Sequence, residues 1–143
     1  MDIAHNFKIK TSTDKVYEAL TTQKGIMGWW SKDCDITQKV GEESHMRFNK
    51  DGKIVEMQFR VDTLQPGEKV SWSCVGNPNP TWIGTELRFD MEQQGDEVNF
   101  SFTHGNFDDK WAGQPPFEMT KEGWDHFMNS LKNYCEKGEG QPW

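Results

Sequence analysis

Hydrophobic and polar residues alternate along much of the chain. In the first run, residues 3–9, the side chains of Ile3, His5, Phe7 and Ile9 share one face. Five later runs show the same alternation, at 44–48, 55–61, 70–74, 83–91 and 98–102. Successive side chains of a strand point to opposite faces, so these runs predict half-buried β-strands. The turns between most of them are short, which favours antiparallel pairing with one covered face.

The apolar spacing changes to a helical period in two places. Val16, Ala19 and Leu20 follow the N-cap candidates at 11–14 and predict a short helix after the first strand, with another turn at 23–27. The C-terminal stretch 117–137 carries one apolar stripe, made of Trp124, Phe127, Met128, Leu131, Tyr134 and Cys135. A helix of about five turns with this stripe needs a broad apolar surface, which the predicted sheet supplies.

Composition and charge narrow the functional classes. The 143 residues carry a net charge of −7, and residues 90–143 hold the whole acidic excess. An acidic chain without a basic cluster repels phosphate groups, so we expect neither nucleic-acid binding nor membrane-surface binding. The length suits a single domain, residues 1–143.

The cysteines and the N-terminus indicate the compartment. Cys34, Cys74 and Cys135 are an odd number without CxxC spacing, and no apolar signal region follows Met1. No run approaches the ~18 apolar residues of a membrane span. We therefore expect a cytoplasmic protein with reduced thiols.

Several local motifs resemble one known family. They are VYEALT followed by GWW, the strands GEESHMRF and WSC, the pair TELRF and VNFSFTHGNF, and the ending EGWDHFMNSLKNY. Together they span nearly the whole chain and are similar to the family homologous to the activator of heat shock protein 90 ATPase, in the START-like (SRPBCC) helix-grip superfamily.

The resemblance implies an α+β fold, in which a curved antiparallel β-sheet wraps around a long C-terminal α-helix. Two short helices would follow the first strand, and a cavity often lies between helix and sheet. The superfamily includes lipid carriers, hormone receptors, cyclases and chaperone partners, so the fold alone implies no single function.

The four histidines offer little catalytic chemistry. None has the spacing of a metal site, and we expect no metal and no cofactor. His5 and His104 have inward parity, and a hydrogen-bonded structural imidazole is the simplest interpretation of each. The alternative is a polar contact or a general base in the cavity. No GxSxG motif or activated cysteine indicates a nucleophile.

A surplus of aromatic residues and methionine is the feature that most favours a binding site. It indicates either a filled core or an apolar pocket, because bulky rings between a curved sheet and a straight helix leave gaps. The predicted pocket residues are Trp30, His5, Phe48, Met57, Phe59, Trp72, Phe89, Phe102, His104, Trp124, Phe127 and Met128.

Two local features support this interpretation. The adjacent Trp29 and Trp30 cannot both face inward from one regular element, so they predict a corner where at least one ring covers a pocket or the core edge. Gly123 costs a helix about 1 kcal/mol relative to Ala, which indicates close helix–sheet approach or room for a ligand.

Three functions remain open from the sequence. The leading hypothesis is a non-catalytic protein that binds a small hydrophobic molecule between the sheet and the C-terminal helix. The second is a chaperone-interacting module, as the family name implies. The third is an enzyme of cyclase or hydratase type that uses His5 or His104 as a base.

Overall fold

The alternating runs form one antiparallel sheet in the computed structural model, which describes residues 2–143. The strands are β1 Ile3–Ile9, β2 Asp33–Asp35, β3 Glu43–Lys50, β4 Lys53–Gln65, β5 Lys69–Gly76, β6 Glu86–Gln94 and β7 Glu97–Gly105. The helices are α1 Thr13–Thr21, α2 Gln23–Trp29 and α3 Pro115–Lys137, with short 3-10 turns at Pro80–Trp82 and Asp109–Trp111.

The spatial order of the strands is β1-β7-β6-β5-β4-β3-β2. Strands β3 to β7 follow one another as a meander, and β1 pairs with the last strand in a register that runs from Ile3 opposite His104 to Ile9 opposite Val98. The turn between β3 and β4 places Asp51 and Gly52 at positive φ, the conformation of a tight hairpin. The predicted fold class, a curved antiparallel sheet with a long C-terminal helix and two short helices, is confirmed.

Threonine and glycine build the corner between the two short helices. Thr22 ends α1 and begins α2, where its hydroxyl accepts a hydrogen bond from Gly25 N at 2.9 Å. A Cβ on Gly25 would lie 2.4 Å from Glu18 O, so the close approach of α2 to α1 requires glycine. This corner directs α2 toward α3 and sets the position of the two tryptophans that follow.

The predicted corner at Trp29 and Trp30 is confirmed, and both rings are buried. Helix α2 ends at Trp29, so the next residue leaves the helix and its ring also turns inward. The two rings stack with centroids 5.3 Å apart. Trp29 Nε1 donates to Ala19 O at 2.7 Å, which satisfies its buried polar atom.

Helix α3 lies against the covered face of the sheet, as its stripe predicts. The helix begins at Pro115, so Pro115 and Pro116 lie in its first turn, as predicted, where the missing N–H groups of proline are well tolerated. Trp124 packs on Phe102 of β7 with ring centroids 4.4 Å apart, and Leu131 is fully buried. Phe127 is only half-buried, which shows that the sheet does not cover the stripe along its whole width.

One predicted strand begins too early. The alternation at 83–91 predicts that Ile83 and Thr85 belong to the strand, but β6 starts at Glu86 and Ile83 is 49% exposed. Gly84 has a φ of +82°, which breaks the extended conformation. The preceding 3-10 turn instead buries Trp82 against the core.

Candidate ligand-binding cavity

An apolar cavity of about 640 Å³ lies beside the first half of α3. Its walls come from α3, the β3–β4 hairpin, the loop after β5 and the last residue of the chain. The lining residues are Trp30, Phe48, Lys50, Val55, Met57, Asn77, Pro78, Asn79, Trp82, Pro116, Met119, Thr120, Glu122, Gly123, Trp124, Phe127 and Trp143. This volume lies within the range of small-molecule sites, about 300–1,000 Å³.

Tryptophan rings form much of the wall. Trp124 lies between Trp30, at a centroid distance of 5.2 Å, and Trp82, at 5.9 Å with nearly parallel planes. Phe127 follows about one helical turn later, and its ring centroid lies 6.2 Å from that of Trp30. These flat, rigid surfaces present apolar area at little entropic cost, so they suit contact with an apolar ligand.

Gly123 leaves open space on the cavity side of α3. Apart from its chain neighbours and the nearby backbone of α3 itself, a Cβ built there would meet no heavy atom of the described residues within 4 Å. Of the two explanations that the sequence offered for this glycine, the structure therefore favours room in the cavity over close helix–sheet approach. A larger side chain at this position would project into the cavity.

A buried hydrogen-bond chain holds Trp124 on the sheet. The indole Nε1 donates to His104 Nδ1 at 3.0 Å. Because that nitrogen accepts, Nε2 carries the imidazole proton and donates to Thr85 Oγ1 at 2.8 Å. The Thr85 hydroxyl then donates to Trp82 O at 2.5 Å. Both imidazole nitrogens are therefore occupied.

Burial fixes the charge of this imidazole. His104 is fully buried, and desolvation lowers its pKa to about 3. The ring is neutral near pH 7 and acts as a relay between an indole donor and a hydroxyl acceptor. This arrangement matches the structural interpretation of His104 rather than a base with an available lone pair.

The loop after β5 is attached to α3 through Trp82. Its Nε1 donates to Thr120 Oγ1 at 2.9 Å, and the Thr120 hydroxyl donates to Pro116 O at 2.9 Å. Asn79 Oδ1 accepts from Thr81 N at 3.1 Å and caps the 3-10 turn. The loop wall of the cavity is thus connected to the helix wall.

The structure brings five of the predicted pocket residues to the cavity: Trp30, Phe48, Met57, Trp124 and Phe127. Six others lie deeper in the core, where α3 covers the sheet: Phe59, Trp72, Phe89, Phe102, His104 and Met128. His5 lies outside the cavity, with Nε2 3.6 Å from an Asp125 carboxylate oxygen on the exposed side of α3.

Trp82 and Trp143 are cavity residues that the pattern does not identify. Trp82 follows a loop rich in proline and asparagine, and Trp143 lies six residues after α3 ends. Neither belongs to a period of two or 3.6 residues. One feature of the sequence could have identified both residues: each is a large aromatic side chain in a polar or glycine-rich segment, where no core position requires it.

Comparison with known proteins decides the family. The family model for "Activator of Hsp90 ATPase homolog 1-like protein" (AHSA1) matches residues 10–136. The chain belongs to the AHSA1-like family. The predicted family is thereby confirmed, together with its helix-grip fold. No functionally curated protein sequence matches the chain.

Solved structures agree with this assignment. The Aha1 dimer from Colwellia psychrerythraea is 33% identical, with a TM-score of 0.81 over 98% of this chain and 99% of that chain. The protein SSP2350 from Staphylococcus saprophyticus is 20% identical, with a TM-score of 0.77 over 99% of this chain and 96% of the other. An AHSA1-like protein from Aeromonas hydrophila shares the fold at 15% identity, with a TM-score of 0.72 over 94% and 91% of the two chains.

The thiols of this AHSA1-like chain are unsuited to nucleophilic chemistry. Cys34, Cys74 and Cys135 are all buried and free. Desolvation raises the pKa of Cys34 and Cys74 to about 11 and that of Cys135 to about 12. Each is therefore a protonated thiol near pH 7 and packs as a small apolar group.

Residues 2–143 contain neither a metal-binding cluster nor a membrane-spanning helix. No group of three or more His, Cys, Asp or Glu side chains in this range is arranged to hold a metal ion. No helix in the same range is long and apolar enough to cross a membrane. The cytoplasmic location expected from the sequence stays a prediction.

Proposed function

We propose that this AHSA1-like protein binds a small, mainly apolar molecule in the cavity between α3 and the β3–β4 hairpin. The observation that carries the proposal is the cavity of about 640 Å³ lined by aromatic and aliphatic side chains. Apolar surface facing water carries a free-energy cost, and a ligand that covers it recovers about 25 cal/mol per Å² removed from water. The leading hypothesis from the sequence is thus retained, with its site defined by the cavity.

The surrounding structure supports a persistent cavity. The buried chain through His104 fixes Trp124, and the Trp82–Thr120 bond fixes the loop opposite it. A cavity can collapse only if its walls move, and these walls are joined by hydrogen bonds at 2.9–3.0 Å. The site is therefore preorganised, which reduces the entropic cost of binding.

The chemistry of the cavity favours binding over catalysis. Both nitrogens of His104 are engaged, and His5 faces Asp125 outside the cavity. The charged groups at the rim, Lys50 and Glu122, are of opposite sign and both exposed. Neither predicted base is positioned to reach a molecule in the cavity, so we do not propose a cyclase or hydratase activity.

A blocking substitution tests the proposal. Gly123→Leu would place a side chain in the open space of the cavity, whereas Asn129→Leu puts the same side chain on the exposed face of the same helix. We expect N-phenylnaphthylamine, a neutral aromatic probe that fluoresces in apolar surroundings, to bind the wild type and Asn129→Leu equally. Gly123→Leu should reduce the affinity at least about tenfold, which is 1.4 kcal/mol.

The same titration can reject the proposal. If neither the probe nor any member of a library of apolar and aromatic compounds binds the wild type, the cavity is not a ligand site. Equal affinity for the wild type and Gly123→Leu would place the bound molecule elsewhere. Far-UV circular dichroism of both leucine variants shows whether the fold is retained, so that lost binding is not mistaken for unfolding.

The family assignment supports a second candidate, interaction with an Hsp90-type chaperone. The matching family is described as homologous to an Hsp90 ATPase activator, and the Colwellia protein is named an Aha1 dimer. We expect, under this candidate, that the protein raises the ATPase rate of Hsp90 from its own host. No change in that rate, together with no complex on analytical ultracentrifugation, would count against it.

The two candidates are separable, because Gly123→Leu changes the interior of the cavity. Under chaperone binding alone, this variant should stimulate the ATPase as well as the wild type does. Ultracentrifugation of the protein by itself also shows whether it forms a dimer, as the Colwellia relative does.

A further inference from the structure

Residues 138–143 form a strap that leads from the end of α3 to the cavity. Gly138 ends the helix with a φ of +81° and reverses the chain. Gly140 then passes between α2 and α3, where a Cβ would lie 2.7 Å from Gly28 O and 2.8 Å from Ser130 O. This passage is too narrow for any residue but glycine.

Hydrogen bonds hold the strap on both sides. Gln141 N donates to Ser130 Oγ at 2.6 Å, Gln141 O is 3.0 Å from His126 Nε2, and the Gln141 side chain accepts from Asn133 at 3.1 Å. At the end of the strap, Trp143 N donates to Trp30 O at 2.9 Å. Lys32 N donates to Trp143 O at 2.8 Å. The backbone of Trp143 is thus anchored like a short strand.

The side chain of Trp143 is held much less firmly than its backbone. Trp143 is 53% exposed, and its ring meets Phe48 and Phe127 edge-on, with ring centroids 6.2 Å and 6.4 Å away. Lys50 Nζ lies 5.4 Å from the ring centroid, a weak contact for an exposed pair. Trp30, Trp82 and Trp124, the other indoles of the cavity wall, are 1–8% exposed. One wall of the cavity is therefore a half-exposed side chain on an anchored backbone.

We propose that the Trp143 side chain is the gate of the cavity, rotating on its anchored backbone to admit and release the ligand. The inference rests on the proposed ligand-binding function and assigns a role to a segment outside the helix–sheet framework. Rotation about the side-chain torsions moves the ring away from Phe48 and Phe127 without breaking the bonds to Trp30 and Lys32. Binding then passes through a second, open conformer of the free protein, in which the ring has turned away from the cavity.

Association kinetics distinguish a gate from an ordinary wall residue. If the open conformer is populated at about 10% or less, removal of the ring should raise the association rate at least about tenfold. Loss of a simple contact would raise only the dissociation rate. Stopped-flow mixing of N-phenylnaphthylamine with wild type and Trp143→Ala measures both rates. Trp111→Ala, which removes another partly exposed indole away from the cavity, is the matched control.

We expect faster association and faster dissociation for Trp143→Ala, and unchanged rates for Trp111→Ala. An unchanged association rate for Trp143→Ala, with the probe still bound, would overturn the gate and leave the ligand site standing. A probe that binds neither the wild type nor Trp143→Ala would overturn the ligand site and the gate together. Binding to Trp143→Ala alone would support a gate that is closed in the wild type.

Hydrogen exchange separates rotation of the ring from release of the whole strap. We expect the amides of Lys32 and Trp143 to keep their protection when the probe is bound. Loss of their protection on binding would show that the strap detaches, and would overturn rotation on a fixed backbone.

Discussion

Trp124→Phe tests the hydrogen bond that joins α3 to the sheet. Trp124 is 2% exposed, and its Nε1 lies 3.0 Å from His104 Nδ1. Phenylalanine retains much of the ring packing but cannot donate, so a buried acceptor loses its partner. An unsatisfied buried acceptor costs about 1–3 kcal/mol, and we expect the free energy of unfolding to fall by that amount.

Trp124→Ala should cost more, because it also removes the packing. The ring contacts Phe102 at 4.4 Å and Trp30 at 5.2 Å, and truncation of a buried aromatic residue typically costs about 3–5 kcal/mol. One side of the ring already faces the cavity and has fewer partners to lose. We therefore expect a value near the lower end of that range.

His104→Leu completes a double-mutant cycle. Leucine has a similar volume and no acceptor, so in this background Trp124→Phe leaves no unpaired nitrogen. We expect the cost of Trp124→Phe to fall by about 1–2 kcal/mol when His104 is replaced. Urea unfolding at neutral pH, followed by far-UV circular dichroism, gives the four free energies.

Two results would refute the reasoning. An equal cost of Trp124→Phe in both backgrounds would show that the indole–imidazole bond contributes nothing to stability. A loss below about 1 kcal/mol for Trp124→Ala would show that the ring is not packed as described. Matching m-values across the series are the control for a common unfolded state.

Three further predictions concern other parts of the molecule. Because burial lowers the pKa of His104 to about 3, against about 6.5 unfolded, the unfolded state binds one more proton in acid. Stability should fall by up to about 1.4 kcal/mol per pH unit from about pH 6 to about pH 4, and urea titrations of His104→Leu should lack that component. Gly123→Ala should raise the free energy of unfolding by about 0.5–1 kcal/mol, because the added Cβ is unobstructed. Gly25→Ala should lower it by about 1–3 kcal/mol, because the added Cβ would overlap the backbone of α1. Equal effects of the two substitutions in thermal melts would contradict this contrast. Because the three cysteines are buried, a chromogenic disulfide reagent should react with Cys34, Cys74 and Cys135 only after the protein unfolds. Rapid reaction of the native protein would show that at least one of these thiols is accessible.

Periodicity predicts which face of each element is covered, and this is why the fold could be predicted from the sequence. The alternation of β1 and the stripe on α3 arise from local geometry, so they are visible in the sequence. The strand predicted at Ile83 fails because alternation cannot detect a positive φ at Gly84. A glycine within an apparent strand is itself a reason to expect such a break.

The position of the cavity along the covered face is not a local property. Met57 and Phe59 have the same parity on β4, yet Met57 lines the cavity and Phe59 lies in the filled core. Which of the two is covered depends on where α3 crosses the sheet. Parity alone could not separate cavity from core, and it gave no information on Trp82 or Trp143, which lie outside regular elements.

The clustering of indoles gives the protein an optical property. Four of its seven tryptophans, Trp30, Trp82, Trp124 and Trp143, line the cavity, and Trp29 stacks directly on the first of them. At such separations, excitation passes readily from ring to ring, so emission is weighted toward this one region. A bound molecule that absorbs in the near ultraviolet would collect that energy by resonance transfer. Binding of such a molecule would therefore quench the tryptophan emission, and this quenching would serve as a direct signal of binding.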